Sequence, residues 1–146
     1  MKTVGFLDFL IYKFAANEVE ITLNKDVVIF RSGDASLRLE PVVYLAADSR
    51  NPRVLSIGKS TDLSEPFERI DLFDGKRIVI KGLDKTNALE MFLHFGFTQL
   101  AGRLALVRPK VIFVLGNPLS EIFGGYERVV LMQSAENAGA REVVFG

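Results

Sequence analysis

The stretch Arg108-Pro109-Lys110-Val111-Ile112-Phe113-Val114-Leu115-Gly116-Asn117-Pro118 decides the class of fold. Its central residues, 111–115, form a continuous apolar run of strand length, which is typical of a strand buried on both faces. Gly116-Asn117-Pro118 then ends the strand abruptly. A strand of this kind lies inside a sheet that helices cover, and the flanking sequence predicts both helices and further strands.

A helix and a last strand are predicted after this stretch. The helix begins at Ser120 or in the Gly124-Gly125 region, and Gly139 is well placed to end it. Residues 143–146 supply the last strand. The apolar face of the helix consists of Val129, Val130, Met132, Ala135 and Ala138.

A second helix is predicted before the buried strand. Asp84 can cap its start, and it ends near Leu106, ahead of Pro109. Its apolar residues recur at spacings of three and four, and they are Ala88, Leu89, Met91, Phe92, Phe95, Leu100 and Leu104.

Alternation with a period of two predicts three antiparallel strands at the start of the domain. Residues 19–23 form the first strand, and Asn24-Lys25-Asp26 turns the chain tightly into the second, residues 27–30. The third strand covers residues 37–45, where Pro41 marks an edge or a bulge. Three such strands, then helix, strand, helix and strand, give a mixed α/β sheet in the order of the ribonuclease H-like fold, with parallel strands joined by right-handed crossovers in the second half.

Composition excludes several classes of protein. The chain has 146 residues, of which 49% are apolar and 25% charged, so it is a globular domain rather than a disordered chain or a coiled coil. Eighteen basic residues balance eighteen acidic ones, and we expect no nucleic-acid partner because no overall field attracts one. With no cysteine and only His94 as histidine, disulfides, thiol chemistry and most zinc sites are excluded. We expect no metal ion, and a cytoplasmic location fits.

The N-terminal residues 1–16 are predicted to form a helix that is apolar over most of its circumference. The segment is too short to span a bilayer, and Asp8 and Lys13 interrupt the apolar run that a secretory signal needs. Such a helix either docks on its own domain or a second copy, or it lies on a membrane surface. The remainder, residues 17–146, forms one subdomain. The candidate interaction residues are Phe6, Phe9, Leu10 and Phe14.

Five stretches carry a specific resemblance to one family. The longest is residues 127–143, ERVVLMQSAENAGAREV, and Arg108-Pro109-Lys110-Val111 leads into the buried strand. The others are Leu39-Glu40-Pro41-Val42-Val43, Asp74-Gly75 and Phe14-Ala15-Ala16-Asn17-Glu18-Val19. Together they resemble the N-terminal portion of the MreB family, the bacterial actins of rod-shape determination. The resemblance implies an actin-like subdomain with an N-terminal membrane-binding helix.

The resemblance also identifies a degenerate phosphate loop. In that family the first phosphate loop is an Asp-Leu-Gly-Thr turn, whose glycine lets the backbone approach phosphate and whose carboxylate organises the metal and its water shell. Here Thr22 replaces the acid, Asn24 replaces the glycine, and Lys25 follows. The printed chain ends at Gly146, so we expect neither the family's catalytic glutamate nor its second phosphate loop in it. The sequence therefore predicts no bound nucleotide and no other cofactor.

Two other catalytic hypotheses are weak. A ribonuclease H-like nuclease needs several carboxylates around two metal ions; Glu20 and Glu90 could supply two, but Asn117 stands at the strand end. His94 lies in an apolar helical stretch without a visible partner, which favours a half-buried structural histidine over a general base.

The sequence thus favours a non-catalytic actin-like module for binding or assembly rather than an enzyme. Its expected partners are a second copy of the chain, a cytoskeletal filament or a membrane-associated protein. The expected location is the cytoplasm, and the inner face of the membrane stays open. The alternative, from another class, is one half of a split actin-like ATPase that a second chain completes.

Overall fold

The computed structural model describes residues 18–48, 50, 52–74, 77–83, 86–101 and 108–146. The helices are α1 (Ala88–Ala101), α2 (Leu119–Ile122) and α3 (Gly125–Asn137). The strands are β1 (Glu18–Leu23), β2 (Val28–Ser32), β3 (Ala35–Leu39), β4 (Val42–Ala46), β5 (Val54–Ile57), β6 (Phe67–Asp71), β7 (Phe73–Asp74), β8 (Arg77–Ile78), β9 (Gly82–Leu83), β10 (Thr86–Asn87), β11 (Lys110–Leu115) and β12 (Glu142–Phe145).

The largest sheet has five strands in the order β12-β11-β1-β2-β3, so that β1 is central. Strand β1 runs parallel to β11, and β11 runs parallel to β12. Strands β1, β2 and β3 are antiparallel to one another. The sheet is therefore mixed, with its parallel half built from segments that lie far apart in the sequence.

A second sheet of three strands, in the order β5-β4-β6, starts where a single third strand was predicted over residues 37–45. That prediction was wrong, because β3 ends at Leu39 in the first sheet and β4 begins at Val42 in the second. Pro41 has no N–H to donate, and the Val42 N–H donates to the Glu40 carbonyl at 2.8 Å, so the chain turns between the two sheets.

The core lies between one face of the five-stranded sheet and the helices. The strand register aligns Phe145, Phe113, Ile21 and Phe30 in one row across four strands. Helix α1 packs on β2, β3 and β4, and α3 packs on β12 and on α1. The fully buried Phe30 ring contacts Phe92 of α1, with ring centroids 5.9 Å apart. Burial of such large side chains is the main stabilising contribution.

The opposite face of the same sheet carries less cover. The side chains that alternate with the buried row are only half-buried. The sequence predicts that β11 is buried on both faces, and this prediction was wrong, because only the face toward the helices is buried. The period-two geometry of strands puts these side chains together on one surface. We define the open face as Thr22, Ile29, Ile112, Val114 and Val144.

The helix starts differ in detail from the prediction. Asn87 caps α1, which begins at Ala88, because the Asn87 Oδ1 accepts the Glu90 N–H at 2.8 Å. The predicted cap, Asp84, and residues 102–107 lie outside the described residues. Of the two predicted starts of the later helix, the Gly124-Gly125 region is correct, because α3 begins at Gly125, whereas Ser120 lies inside the short helix α2, which begins at Leu119. Gly139 follows α3 with a φ of +122°, a conformation that favours glycine at a helix end.

The predicted N-terminal helix, residues 1–16, lies outside the described residues. Among the helices that the structure describes, none is both long and apolar enough to cross a membrane.

Candidate functional site

The first candidate site is the β1–β2 turn, which lies at the carboxyl end of two neighbouring parallel strands. Ligands of α/β sheets commonly bind at this edge. The Asn24 N–H donates to the Val27 carbonyl at 2.9 Å and closes the turn. The Gly116 N–H donates to the Leu23 carbonyl at 2.8 Å and holds the end of β11 beside it.

The side chain of Asn24 fills the space between these strand ends. A Cβ placed on Gly116 would lie only 1.9 Å from the Asn24 Oδ1 and 3.2 Å from the Leu23 carbonyl oxygen. Asn24 thus lies directly against the Gly116 Cα. A phosphate loop needs open backbone at this position, and a side chain occupies it here.

The three predicted phosphate-loop residues do not converge on one point. Thr22 is half-buried on the open face, where it pairs with Val114 and Ile29. Asn24 points toward Gly116, whereas Lys25 is exposed at the turn.

Lys25 borders a shallow cavity of about 350 Å³ whose charged residues are mainly acidic. Asp26, Asp71 and Asp74 line the same cavity. Arg69 pairs with Asp71 at 3.1 Å. Among the described residues, Asp26 and Asp74 therefore leave a small excess of negative charge over Lys25, which disfavours a phosphate group.

A second candidate site is a groove of about 490 Å³, which is lined by residues of α1, of strand β5 in the three-stranded sheet, and of the end of α3. We call it the helix groove. Its apolar lining residues are Val54 and Ile57 of β5, Met91 and Phe95 of α1, and Ala138, which follows α3. Its size is in the range of binding clefts for small molecules and peptide side chains.

Polar side chains form one wall of the helix groove. The Asn137 Nδ2 donates to the Glu90 Oε1 at 2.9 Å and ties α3 to α1. The His94 Nδ1 lies 3.3 Å from the Ala138 carbonyl oxygen, and the Thr98 hydroxyl donates to the His94 carbonyl at 2.9 Å. The contacts of Asn137 and His94 join α1 to the end of α3, whereas the Thr98 hydrogen bond lies within α1.

His94 is exposed, so the expectation of a half-buried histidine was wrong. The helix groove itself was not foreseen. The spacing of Glu90 and His94, four residues apart on one helix, could have indicated a shared polar face. Asn137 and the β5 residues carry no such signal, because tertiary packing alone brings them to α1.

The structure does not assemble the carboxylates of a nuclease. Glu20 pairs with Ile112 on the face of the sheet opposite the helices, and Glu90 lies on α1 beside the helix groove. The Asn117 Oδ1 accepts a hydrogen bond from the Ser120 hydroxyl at 2.7 Å. Within the described ranges, no cluster of three or more acidic, histidine or cysteine side chains could hold a metal ion.

Two charged groups beside the smaller sheet have shifted pKa values. The Ser60 hydroxyl donates to Glu40 and lowers the pKa of that carboxyl. The pKa of Arg69 is raised, chiefly by its hydrogen bond to Asp71 at 3.1 Å. Arg69 also donates to the hydroxyl of the buried Tyr44 at 3.0 Å. Of these contacts, the one between Arg69 and Tyr44 joins β6 to β4, and the one between Arg69 and Asp71 lies within β6.

Phe6, Phe9, Leu10 and Phe14, the predicted interaction residues, lie outside the described residues.

Comparison with known proteins identifies the fold. No protein-family model matches the chain, and no curated protein matches it. Two solved structures of MreB 5 of Spiroplasma citri do match. The one bound to AMPPNP has a TM-score of 0.55 at 12% identity and covers 88% of this chain. The one bound to ADP has a TM-score of 0.52 at 13% identity and covers 90% of it.

This chain spans 38% of the length of each of these structures. At 12% and 13% identity the similarity shows an actin-like fold and does not show membership of a family.

Proposed function

We propose that this protein is a non-catalytic actin-like module that binds or assembles with other proteins. The observation that carries the proposal is the β1–β2 turn, where the Asn24 side chain occupies the space against Gly116. Nucleotide binding in an actin-like fold needs backbone donors and a metal-organising acid at that turn. Here Thr22 stands in place of the acid, and Asn24 fills the position that glycine would leave open.

The charges around the turn support the same proposal. Among the residues that the structure describes, Lys25 is the only basic one lining the shallow cavity, and three aspartates line it as well. Repulsion between these carboxylates and a triphosphate would weaken binding even if the backbone moved.

The surface of the module offers places for a partner. The helix groove is one of them, and the outer side of α3 exposes Tyr126 and Val129, which are 69% and 47% accessible. We propose a second copy of the chain, a cytoskeletal filament or a membrane-associated protein as the partner, in the cytoplasm or at the inner face of the membrane. The actin-like fold of MreB 5 supports a cytoskeletal setting.

The alternative function is one half of a split actin-like ATPase that another chain completes. One observation favours it: the solved structures that share this fold are bound to AMPPNP and to ADP.

Calorimetry and NMR with ATP and magnesium test the proposal. We expect no saturable heat, whereas a micromolar Kd would correspond to about 8 kcal/mol of binding free energy. NMR detects weaker contact, so the amide signals of Asn24, Lys25 and Gly116 report even an incomplete site. We expect these signals to stay unchanged at millimolar nucleotide. Saturable shifts at the three amides would overturn the proposal and support the split ATPase.

A paired variant tests whether the turn itself is responsible. Replacing Thr22→Asp and Asn24→Gly together restores the two residue types that the turn lacks. If nucleotide shifts the amide signals of that variant but not those of a Lys25→Ala control, residues 22 and 24 are the reason that the wild-type turn does not bind nucleotide.

A further inference from the structure

The open face of the five-stranded sheet needs a covering layer. Register places its side chains next to one another, since Thr22 pairs with both Val114 and Ile29, and Ile112 pairs with Val144. Four of the five are aliphatic, and each is only partly buried. A sheet with one face on helices normally buries an apolar second face against another element.

The residues of this face of the sheet change from charged to mainly apolar along the strands. Thr22, Val114 and Ile29 lie toward the carboxyl ends of β1 and β11, whereas Ile112 lies level with Glu20. At the beginning of the same strands, on the same side of the sheet, the residues are Glu18, Glu20 and Lys110. The Lys110 Nζ lies 4.0 Å from Glu18, an exposed and weak ion pair. Arg31 of β2 likewise lies 4.0 Å from Glu20. A covering segment should therefore be apolar over the strand ends and polar over Glu18 and Glu20.

We propose that residues 1–17 of this chain cover the open face. The segment joins directly to Glu18, the first residue of the central strand. At helical spacing Phe6, Phe9, Leu10 and Lys13 share one stripe, which is apolar first and basic next to Glu18.

The dimensions of the two surfaces agree. Helical residues 6–14 would span about 12 Å, and the strand from Glu18 to Thr22 spans about 13 Å. If residues 15–17 reverse the chain, Phe6 lies above Thr22 and Lys13 lies near Glu18. A helix about 10 Å wide covers roughly two strand spacings. One helix therefore fits over the β11 and β1 part of the open face.

Because residues 1–17 are covalently joined to Glu18, they are favoured over a separate molecule as the cover of the open face. A segment attached at Glu18 reaches the open face at a high effective concentration, whereas a second copy must lose translational and rotational freedom. The inference does not depend on the proposed function, because it holds whether or not the β1–β2 turn binds nucleotide.

Site-specific crosslinking tests the proposal in the full chain, which contains no cysteine. The variant Phe6→Cys with Thr22→Cys places one thiol in the segment and one on the open face. The control Phe6→Cys with Gln133→Cys places the second thiol at an exposed position of α3, on the other side of the sheet. With a short bis-maleimide at low protein concentration, we expect an intramolecular crosslink in the first variant and little in the control.

Three crosslinking results would overturn the proposal. Equal yields for both pairs would show that the segment has no preferred surface. A crosslinked dimer in the first variant would assign the open face to a second copy. No crosslink in either variant would show that the segment stays away from the sheet.

A second measurement distinguishes the domain from a bilayer as the surface that the segment contacts. Phe6→Asp with Phe9→Asp changes the stripe, and the matched control Val4→Asp with Ile11→Asp changes the opposite side of the same segment. We expect the first pair to lower the melting temperature by roughly 5 °C or more and the control to lower it less. We expect wild-type protein not to pellet with vesicles of anionic phospholipid. Pelleting that Phe6→Asp with Phe9→Asp abolishes, at an unchanged melting temperature, would assign the segment to the membrane.

Discussion

At the residue scale, Gly96 shows how a single missing side chain makes room for the core. It lies within α1, where glycine normally costs about 1 kcal/mol relative to alanine. A Cβ at this position would lie 2.3 Å from the ring of Phe30, whose side chain is fully buried. The close approach of α1 to the sheet therefore depends on glycine.

We predict that Gly96→Ala lowers the free energy of unfolding by about 1–3 kcal/mol, because overpacking outweighs the gain in helix propensity. Gly125→Ala is the matched control, since Gly125 is the first residue of α3 and has no atom within 4 Å of an added Cβ. The control should be neutral or slightly stabilising. Urea unfolding of both variants measures the difference, and similar effects at the two sites would contradict the proposed packing.

Residue positions at the candidate site were predictable only in part. The sequence predicts the β1–β2 turn and identifies Thr22, Asn24 and Lys25 as its unusual residues. It does not predict that Asn24 lies against Gly116, because that contact requires β11 to pair with β1. Likewise, two of the three acidic neighbours of Lys25, Asp71 and Asp74, come from a distant segment that folding brings to the turn.

At the scale of secondary-structure elements, the cap that the sequence predicts for α1 differs from the hydrogen bond found at the start of this helix. Asp84 has the residue type of a helix cap, but the described hydrogen bond comes from Asn87, whose Oδ1 accepts the Glu90 N–H at 2.8 Å. The Asn137 Nδ2 also donates to Glu90, so this first turn connects α1 to α3.

We predict that Asn87→Ala lowers the free energy of unfolding by about 1 kcal/mol, as loss of a helix cap usually does. Asp84→Ala should change it less. Thermal unfolding followed by circular dichroism at 222 nm measures both variants. A larger effect at Asp84 would mean that the helix begins earlier than Ala88.

Hydrophobic periodicity predicts most of these elements but not how they are distributed between sheets. Pro41 indicates an interruption in residues 37–45, yet nothing local says that Leu39 and Val42 belong to different sheets. The apolar run of β11 predicts burial on both faces, whereas only Val111 and Phe113 are fully buried. Partners distant in the sequence decide both features.

At the scale of the whole molecule, apolar surface is distributed unevenly. The helices cover one face of the five-stranded sheet, residues 1–17 are proposed to cover the other, and the outer side of α3 remains exposed. Tyr126 and Val129 lie three residues apart on that helix and therefore share one face. They are 69% and 47% accessible, so together they place a tyrosine ring and a valine side chain on the surface.

This exposed face of α3 leads to the last prediction, that the protein self-associates. Light scattering should detect a dimer or a larger species, and Tyr126→Asp with Val129→Asp should shift it to the monomer because two charges would enter a desolvated contact. The folded domain should tolerate the change, since both side chains face solvent, so the melting temperature of the monomer should move little. Ile80→Asp is the control: Ile80 is 52% exposed, lies outside α3, and should leave association unchanged. A wild type that stays monomeric at high concentration would contradict the assembly role and leave a partner of different sequence as the ligand of this face.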